Sequence, residues 1–288
     1  MSQRSAICFL VVNQITELPE IAIQSALLCT GNEIFVGYIN FADIEKLPKT
    51  SRIHFVDLGS PEYNNVFPNS KYMDFSTASF YEIVQLKWIL LQEMLKLNYE
   101  YIIYSDIDVF WIENPVKHLE SSFDLYPEID LLIQSFTTIP DQVKLCMGFV
   151  AFRNTESIYN FILESSKEHL RELKINDRKG DDEIITEYYA KFNPKWIREL
   201  PQSTFPVGSM LNLFATKNKI VGLNPPSPFI FHTNYVIGLR NKRLMLRVFL
   251  NRKYKNSLGI RYSLYWRLFN LSKRIRLSLS LISKRVFS

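Results

Sequence analysis

The chain has 288 residues, of which 47% are hydrophobic, 22% charged and 14% aromatic. This composition is globular and excludes a disordered chain, a collagen and a small disulfide scaffold. The length allows one large α/β domain or two smaller ones. The three cysteines, Cys8, Cys29 and Cys146, lie in apolar stretches and are expected to be buried, reduced thiols rather than ligands or a disulfide.

The basic residues are distributed unevenly. From Arg240 onward there are 14 Lys and Arg and no Asp or Glu, so the 239 residues before it hold 20 basic and 29 acidic residues, a net charge of −9. An acidic body followed by a basic tail predicts two units, and the tail is expected to bind anions. No apolar run reaches the roughly 18–20 residues of a membrane helix, and residues 6–12 are expected to be a buried strand rather than a signal peptide.

Strands and helices are predicted to alternate along the first half. In chain order they are a strand at 6–13, a helix at 19–28, strands at 33–40 and 52–58, a long helix at 80–97 and a long strand at 101–112. The second half is predicted to hold strands at 131–136 and 148–152, helices at 155–173 and 182–192, a loop-rich stretch at 193–228 and a short apolar run at 229–232. This order predicts an α/β fold with a mostly parallel central sheet and helices on both faces.

A basic amphipathic tail is predicted after this body. Apolar residues recur there at steps of three and four, at Leu264, Leu268, Leu271, Ile275, Leu279, Ile282 and Val286. We therefore expect residues 1–245 to form one domain and residues 246–288 a helical tail on an anionic membrane surface. Packing of the tail on the body or on a second subunit, and nucleic-acid binding, are the alternatives.

Two carboxylates, Asp106 and Asp108, interrupt the apolar run at 101–112. On a strand, residues at i and i+2 point to the same side. Two such acids at the end of a buried strand are costly unless a cation neutralises them, and Mg²⁺ or Mn²⁺ between carboxylates and a phosphate does so. A solvated turn is the ordinary interpretation of Asp-x-Asp, but ligands bind open α/β sheets at the carboxyl ends of strands.

Three later residues are candidate partners of this pair. His232 follows a short apolar run and is predicted to be a third metal ligand rather than a core histidine. Gly238 would let the backbone approach a phosphate, and Lys242 would place a positive charge there, unless Lys242 is simply the first charge of the tail.

Two earlier charged positions are further candidates. Lys87 lies on the apolar side of its predicted helix, which favours an anion partner over a side chain that reaches to solvent at the helix edge. Asp182 and Glu183 begin a helix, where acids are good capping residues. We expect them to be catalytic carboxylates that face the substrate.

With these residues, the chain resembles the nucleotide-diphospho-sugar transferases of the GT-A fold, and most of all the bacterial and viral relatives of the family 77 glycosyltransferases. The resemblance rests on pieces that occur in order over roughly residues 5–245: Leu86-Lys-Trp88, Tyr104-Ser-Asp-Ile-Asp-Val-Phe-Trp111 with Asn114-Pro115, Gly148-Phe-Val-Ala-Phe-Arg-Asn154, Asp181-Asp-Glu183, and His232-Thr-Asn-Tyr-Val-Ile-Gly238 with Lys242. The chain has Asp-Glu where the family often has Asp-Gln.

The resemblance implies roles for particular residues. Asp106, Asp108 and His232 would hold Mn²⁺ or Mg²⁺ against the diphosphate of a nucleotide sugar. The implied contacts to the nucleotide sugar come from Asn13, Lys87, Ser105, Asp106, Gly148, Gly238 and Lys242. Asn13 would lie near the nucleobase, Gly148 beside the sugar pocket, and Asp182 against the donor sugar.

The implied reaction transfers a sugar, most simply from a UDP-linked donor, to a hydroxyl of a glycan or lipid-linked acceptor. Retention of anomeric configuration is expected, through either a carboxylate nucleophile or front-face transfer. The implied location is cytoplasmic, peripheral on the cytoplasmic face of a membrane. A sugar-phosphate nucleotidyltransferase and a non-catalytic membrane-surface module are the alternatives, and no nucleic-acid partner is expected.

Overall fold

A computed structural model describes residues 4–12, 17–39, 44–59, 78–135, 143–175, 179–207, 228–234 and 242. The chain divides into two units, Met1–Lys242 and Arg243–Ser288, and only the first contains described residues. The predicted basic tail therefore lies outside the described residues, as do Asn13 and Gly238. The division into 1–245 and 246–288 stays a prediction.

The described residues form nine β-strands and five α-helices. The strands are β1 Ser5–Val12, β2 Glu33–Ile39, β3 Ile53–Asp57, β4 Tyr101–Ser105, β5 Val109–Trp111, β6 Leu131–Ser135, β7 Leu145–Arg153, β8 Ile197–Glu199 and β9 Ile230–His232. The helices are α1 Glu17–Cys29, α2 Ala78–Leu95, α3 Val116–Leu125, α4 Glu156–Ile175 and α5 Asp181–Phe192, with one 3₁₀ turn at Ile44–Lys46.

The central sheet has seven strands in the order β3-β2-β1-β4-β7-β6-β8. Six of them run in one direction, and β7 runs against its neighbours β4 and β6. The prediction of a mostly parallel α/β sheet is thus confirmed. Because the carboxyl ends of parallel strands share one edge, side chains that follow β1, β2 and β4 meet there.

Both faces of this sheet are covered, as predicted. Along β1, Ala6, Cys8 and Leu10 belong to the apolar cluster that also contains residues of α2, α4 and α5. Ile7 and Phe9 belong to the opposite cluster, with residues of α1 and α3. This alternation follows from the two-residue period of a strand, and burial on both sides explains why β1 is apolar throughout.

The predicted single strand at 101–112 was wrong. β4 ends at Ser105, and the chain then turns before β5, which pairs antiparallel with β9 in a separate two-stranded sheet. The apolar run is continuous in sequence because β4 and β5 are each fully buried, in different sheets. The other predicted strands and helices occur within about three residues of the expected bounds, except that 148–152 is the middle of the longer β7.

One helix was not predicted from the sequence. α3 follows Asn114-Pro115, and the Asn114 side-chain oxygen accepts a hydrogen bond from the Val116 N–H at 2.9 Å. Its apolar side packs on the sheet through Val116, Leu119 and Phe123. Among the described residues, no helix is both long and apolar enough to cross a membrane.

Candidate metal and nucleotide-sugar site

The two candidate carboxylates lie on the turn that ends β4. The Asp106 N–H donates to the Gly148 carbonyl oxygen at 2.7 Å. The Val109 N–H donates to the Asp106 carbonyl oxygen at 3.1 Å and closes the turn. Ser105 is buried, and its hydroxyl oxygen accepts from the Trp111 indole N–H at 3.2 Å. A turn, and not the alternation of a strand, therefore brings Asp106 and Asp108 to the same side.

Asp106 faces a buried lysine and a tyrosine. Its Oδ1 accepts a hydrogen bond from the Tyr104 hydroxyl at 2.7 Å and lies 3.3 Å from Lys87 Nζ. The same ammonium lies 2.5 Å from Oδ2 of Asp181. Burial lowers the pKa of Lys87, but the charges of Asp106 and Asp181 raise it well above its ordinary value, so Lys87 is positively charged. Its anion partners are thus two carboxylates of this chain.

Asp108 is buried against two basic side chains. Its Oδ1 lies 3.2 Å from His232 Nε2, and its Oδ2 lies 2.5 Å from Lys242 Nζ. Burial raises the pKa of Asp108, but the charges of Lys242 and His232 and their hydrogen bonds outweigh it and hold that pKa below its ordinary value. The Thr233 N–H and hydroxyl both donate to the Asp108 carbonyl oxygen at 3.0 Å, and this fixes the end of β9 against the turn.

Asp106, Asp108 and His232 could hold a metal ion together. One ligand atom from each lies within 4.8 Å of the other two. Gly148 makes this arrangement possible, because a Cβ there would lie 2.0 Å from His232 Cε1 and 2.9 Å from Asp106 Oδ2. Two carboxylates and one imidazole suit a divalent cation such as Mn²⁺ or Mg²⁺, so the residues present fit the predicted metal.

The two predicted catalytic acids lie at the start of α5 but face different surroundings. Oδ1 of Asp182 accepts from the Met147 N–H at 2.6 Å, and burial together with the charge of Asp181 raises its pKa well above the ordinary value. Glu183 is exposed, and its Oε2 accepts from the Gly180 N–H at 3.1 Å, which is a capping contact. The catalytic roles of Asp182 and Glu183 stay predictions.

Most of the predicted site residues do come together at this edge. The structure places there Lys87, Ser105, Asp106, Asp108, Gly148, Asp182, His232 and Lys242. The Ser105 hydroxyl donates to the Asp106 carbonyl oxygen and accepts from the Trp111 indole N–H. Its contact with the nucleotide stays a prediction.

Sequence reasoning gave no site role to Gln134 and named Asp182, not Asp181, as the acid against the donor sugar. Gln134 lies on the otherwise apolar β6 and is fully buried, and its Oε1 lies 2.9 Å from His232 Nδ1. A polar residue within a buried strand needs a partner, and that signal could have marked it. The pairing of Lys87 with Asp181 spans 94 positions and joins α2 to the start of α5, so no local pattern specifies it.

Comparison of the sequence with known proteins identifies the family of this chain. The sequence model described as nucleotide-diphospho-sugar transferase matches residues 51–246. UDP-galactose:fucoside alpha-3-galactosyltransferase of Dictyostelium discoideum is 25% identical over 188 residues, 59% of this chain and 28% of that protein. UDP-D-xylose:L-fucose alpha-1,3-D-xylosyltransferase MGP4 of Arabidopsis thaliana is 26% identical over 191 residues, 61% of this chain and 51% of that protein. The matches thus span about a quarter to a half of these relatives.

Solved structures share the fold. The galactosyltransferase LgtC, in complex with donor and acceptor sugar analogs, aligns with a TM-score of 0.59 at 12% identity and covers 86% of this chain and 95% of that one. The glycosyltransferase GlyE of Streptococcus pneumoniae aligns with a TM-score of 0.54 at 15% identity and covers 89% of this chain and 64% of that one. At such identities the similarity is one of fold.

Proposed function

Because the chain belongs to the nucleotide-diphospho-sugar transferase family, we propose that it is a metal-dependent glycosyltransferase. It moves a sugar from a nucleotide diphosphate sugar to a hydroxyl of a glycan or glycolipid acceptor. The observation that carries this proposal is the convergence of Asp106, Asp108 and His232 at the carboxyl edge of the sheet, beside Lys242, which could pair with a diphosphate.

A divalent cation at these three ligands would neutralise charge on the departing nucleoside diphosphate. Lys242 adds a second positive charge. Its ammonium pairs with Asp108, and its side chain could pair with a phosphate oxygen of the donor instead. Lys87 holds Asp181 and Asp106 in place, so that the carboxylates keep their geometry when a donor binds.

Asp182 is the carboxylate we propose to face the donor sugar. Its bond from the Met147 N–H holds it beside β7, next to Gly148 and the metal ligands. The environment that raises its pKa also favours a protonated carboxyl that can donate a hydrogen bond to a sugar hydroxyl. Transfer with retention of configuration is part of the proposal.

We propose a UDP-linked donor and a membrane-associated acceptor. The relatives named above are UDP-galactose and UDP-xylose transferases, which supports uridine as the base. The basic residues from Arg240 onward support attachment to an anionic cytoplasmic membrane surface, where a lipid-linked acceptor would be found.

A screen of nucleotide sugars with Mn²⁺, scored by release of nucleoside diphosphate, tests the reaction. We expect release that requires the cation and is lost in the double variant Asp106→Ala, Asp108→Ala. Asp124→Asn is the matched control, since Asp124 pairs with Arg4 beyond the opposite edge of the sheet. A non-catalytic membrane module would instead give no release with any donor and would keep its vesicle binding in the double variant.

A further inference from the structure

Gln134 is a buried polar residue on β6 for which the proposed reaction has no direct use. Its side chain is fully buried, and it lies in the strand sequence Leu-Leu-Ile-Gln-Ser. An amide left without hydrogen bonds in such a place is destabilising, so the partners of both of its polar atoms matter.

The orientation of this amide is set by two backbone carbonyls. Nε2 of Gln134 donates to the carbonyl oxygens of Phe205 at 3.1 Å and Pro206 at 3.4 Å. A carbonyl oxygen can only accept, so the reverse orientation would set the amide oxygen against two other oxygens. Oε1 must therefore face the opposite way, where it lies 2.9 Å from Nδ1 of His232.

This orientation favours a proton on Nδ1 of His232. The amide oxygen is only an acceptor, so Nδ1 must be the donor in this hydrogen bond. Sγ of Cys146 is also near Nδ1, but at 3.9 Å it is a weaker partner. Nε2 faces Asp108 Oδ1 at 3.2 Å, and a carboxylate oxygen is also only an acceptor, so in the metal-free chain Asp108 competes with Gln134 for the single proton of a neutral imidazole. A cation at the site would need the lone pair of Nε2, and the proton of His232 would then lie on Nδ1 and be donated to Gln134.

We infer that Gln134 is a positioning residue that keeps His232 in the Nδ1–H tautomer and directs Nε2 to the cation site. The inference rests on the proposed metal-dependent function. Histidines that bind metals generally donate their other N–H to an oxygen acceptor, and loss of that acceptor weakens binding about 10–100-fold. Here the acceptor is the Gln134 side-chain oxygen, and the carbonyls of Phe205 and Pro206, in the loop after β8, hold its amide in place. The position of that loop therefore affects the orientation of His232.

A merely structural role for Gln134 makes a different prediction. In that case the amide serves only to satisfy the carbonyls of Phe205 and Pro206, and its loss lowers stability alone. Gln85 provides the matched control: it is also a buried glutamine, on α2, and its Nε2 donates to Ser166 Oγ at 2.8 Å in the contact with α4. Gln85→Leu should lower stability without changing His232.

The first measurement reads the tautomer of His232 in a chain from which the competing carboxylate has been removed. Two-dimensional ¹⁵N–¹H NMR of the metal-free Asp108→Ala chain with labelled histidine, at about pH 9 where an ordinary imidazole is neutral, reports the tautomer of each ring. The chain has four histidines, and the further change His232→Gln identifies the signal of interest. We expect Nδ1–H for His232 in Asp108→Ala and after addition of Gln85→Leu, and a shift toward Nε2–H after addition of Gln134→Leu.

The second measurement is the dissociation constant of Mn²⁺ in the presence of UDP, from electron paramagnetic resonance of the free ion. Gln134→Leu should raise it about tenfold or more, and Gln85→Leu should leave it unchanged. An Nε2–H tautomer in the Asp108→Ala chain overturns the inference, as do an unchanged tautomer and an unchanged Mn²⁺ affinity when Gln134→Leu is introduced. A native chain that binds no Mn²⁺ would refute the metal site of the proposed function, and the NMR result would still decide whether Gln134 sets the tautomer.

Discussion

Both edges of the central sheet carry clusters of charged side chains, but in very different surroundings. At the amino edge, Arg4 pairs with Glu100 and Asp124, and all three side chains are 40–51% exposed. At the carboxyl edge, the side chains of Lys87 and Asp108 are 7% and 11% exposed, and each pairs with oppositely charged groups of the same site. Exposed pairs contribute little because water solvates each partner, whereas buried charges require a partner.

The difference teaches where a ligand can gain binding energy. At the amino edge, water already competes for each charge, so a cation would gain little there. At the carboxyl edge, Lys87 pairs with Asp106 and Asp181, Lys242 and His232 pair with Asp108, and Asp182 accepts a backbone N–H. This acidic, partly closed site suits a divalent cation followed by a diphosphate. The following changes test that contrast, from the largest expected effect to the smallest.

Asp108→Asn should have the largest effect on activity. It removes one ligand charge and leaves Lys242 and His232 without their carboxylate, so we expect kcat/KM to fall about 1,000-fold or more. Donor turnover with Mn²⁺ measures this. Asp124→Asn at the amino edge should keep native turnover, and equal losses in both variants would contradict the contrast between the edges.

Lys87→Met should have the largest effect on stability. Its removal leaves the buried Asp181 without a countercharge, which costs about 3–5 kcal/mol. Urea unfolding followed by circular dichroism measures the loss. Lys96→Met is the control: Lys96 follows the end of α2, pairs with Glu93 and is exposed, so its loss should cost about 1 kcal/mol or less. A Lys87→Met chain as stable as this control would show that the buried pair adds nothing.

Gly148→Ala tests the close packing of the metal ligands. The new methyl group would meet His232 Cε1 at 2.0 Å, so the imidazole must move, and we expect about a 100-fold loss of turnover and about 1–3 kcal/mol of stability. Gly31→Ala is the matched control, because nothing lies within 4 Å of a Cβ there. Native turnover in Gly148→Ala would mean that His232 does not need its present position.

Glu100→Gln should give the smallest effect and a defined pH dependence. The hydrogen bonds from Arg4 hold the pKa of Glu100 below its ordinary value. A lowered pKa adds stability above the unfolded-state pKa, and this is lost as pH falls through the folded-state pKa. The variant should therefore be less stable at neutral pH, by about 1 kcal/mol or less because the pair is exposed, and the difference from the native chain should vanish in acid. A difference that persists at about pH 2 would rule out this origin.

Much of the fold and of the site at the carboxyl edge could be predicted from local sequence. The apolar β1 predicts a strand buried on both faces, and Asp106 and Asp108 predict a cation site because strands of an open α/β sheet end at a common edge. Lys87 could be placed among buried groups from the helical period alone. His232 was joined to the pair through the resemblance and through its position after a short apolar run, and both carboxylates do lie with it.

Other features depend on contacts that a local pattern does not specify. The turn at Asp106 contains neither Gly nor Pro, and the apolar residues on both sides of Asp106 and Asp108 favour one continuous strand over the turn that Asp-x-Asp also indicates. Gln134 and His232 are 98 positions apart, and their bond follows from how β6, β9 and the loop after β8 pack together. Glu183 illustrates an ambiguity of another kind, because acids at a helix start serve capping and catalysis with the same residue types.

The short ribbon of β5 and β9 sets an order of events during synthesis of the protein. β5 follows the carboxylate turn at once, but its only paired strand among the described residues is β9, more than a hundred positions later. A ribosome-bound chain that has emerged only as far as α5 carries both acids but not His232. The proposed metal site can therefore be completed only after β9 has been translated, and a shorter nascent chain lacks the third proposed ligand.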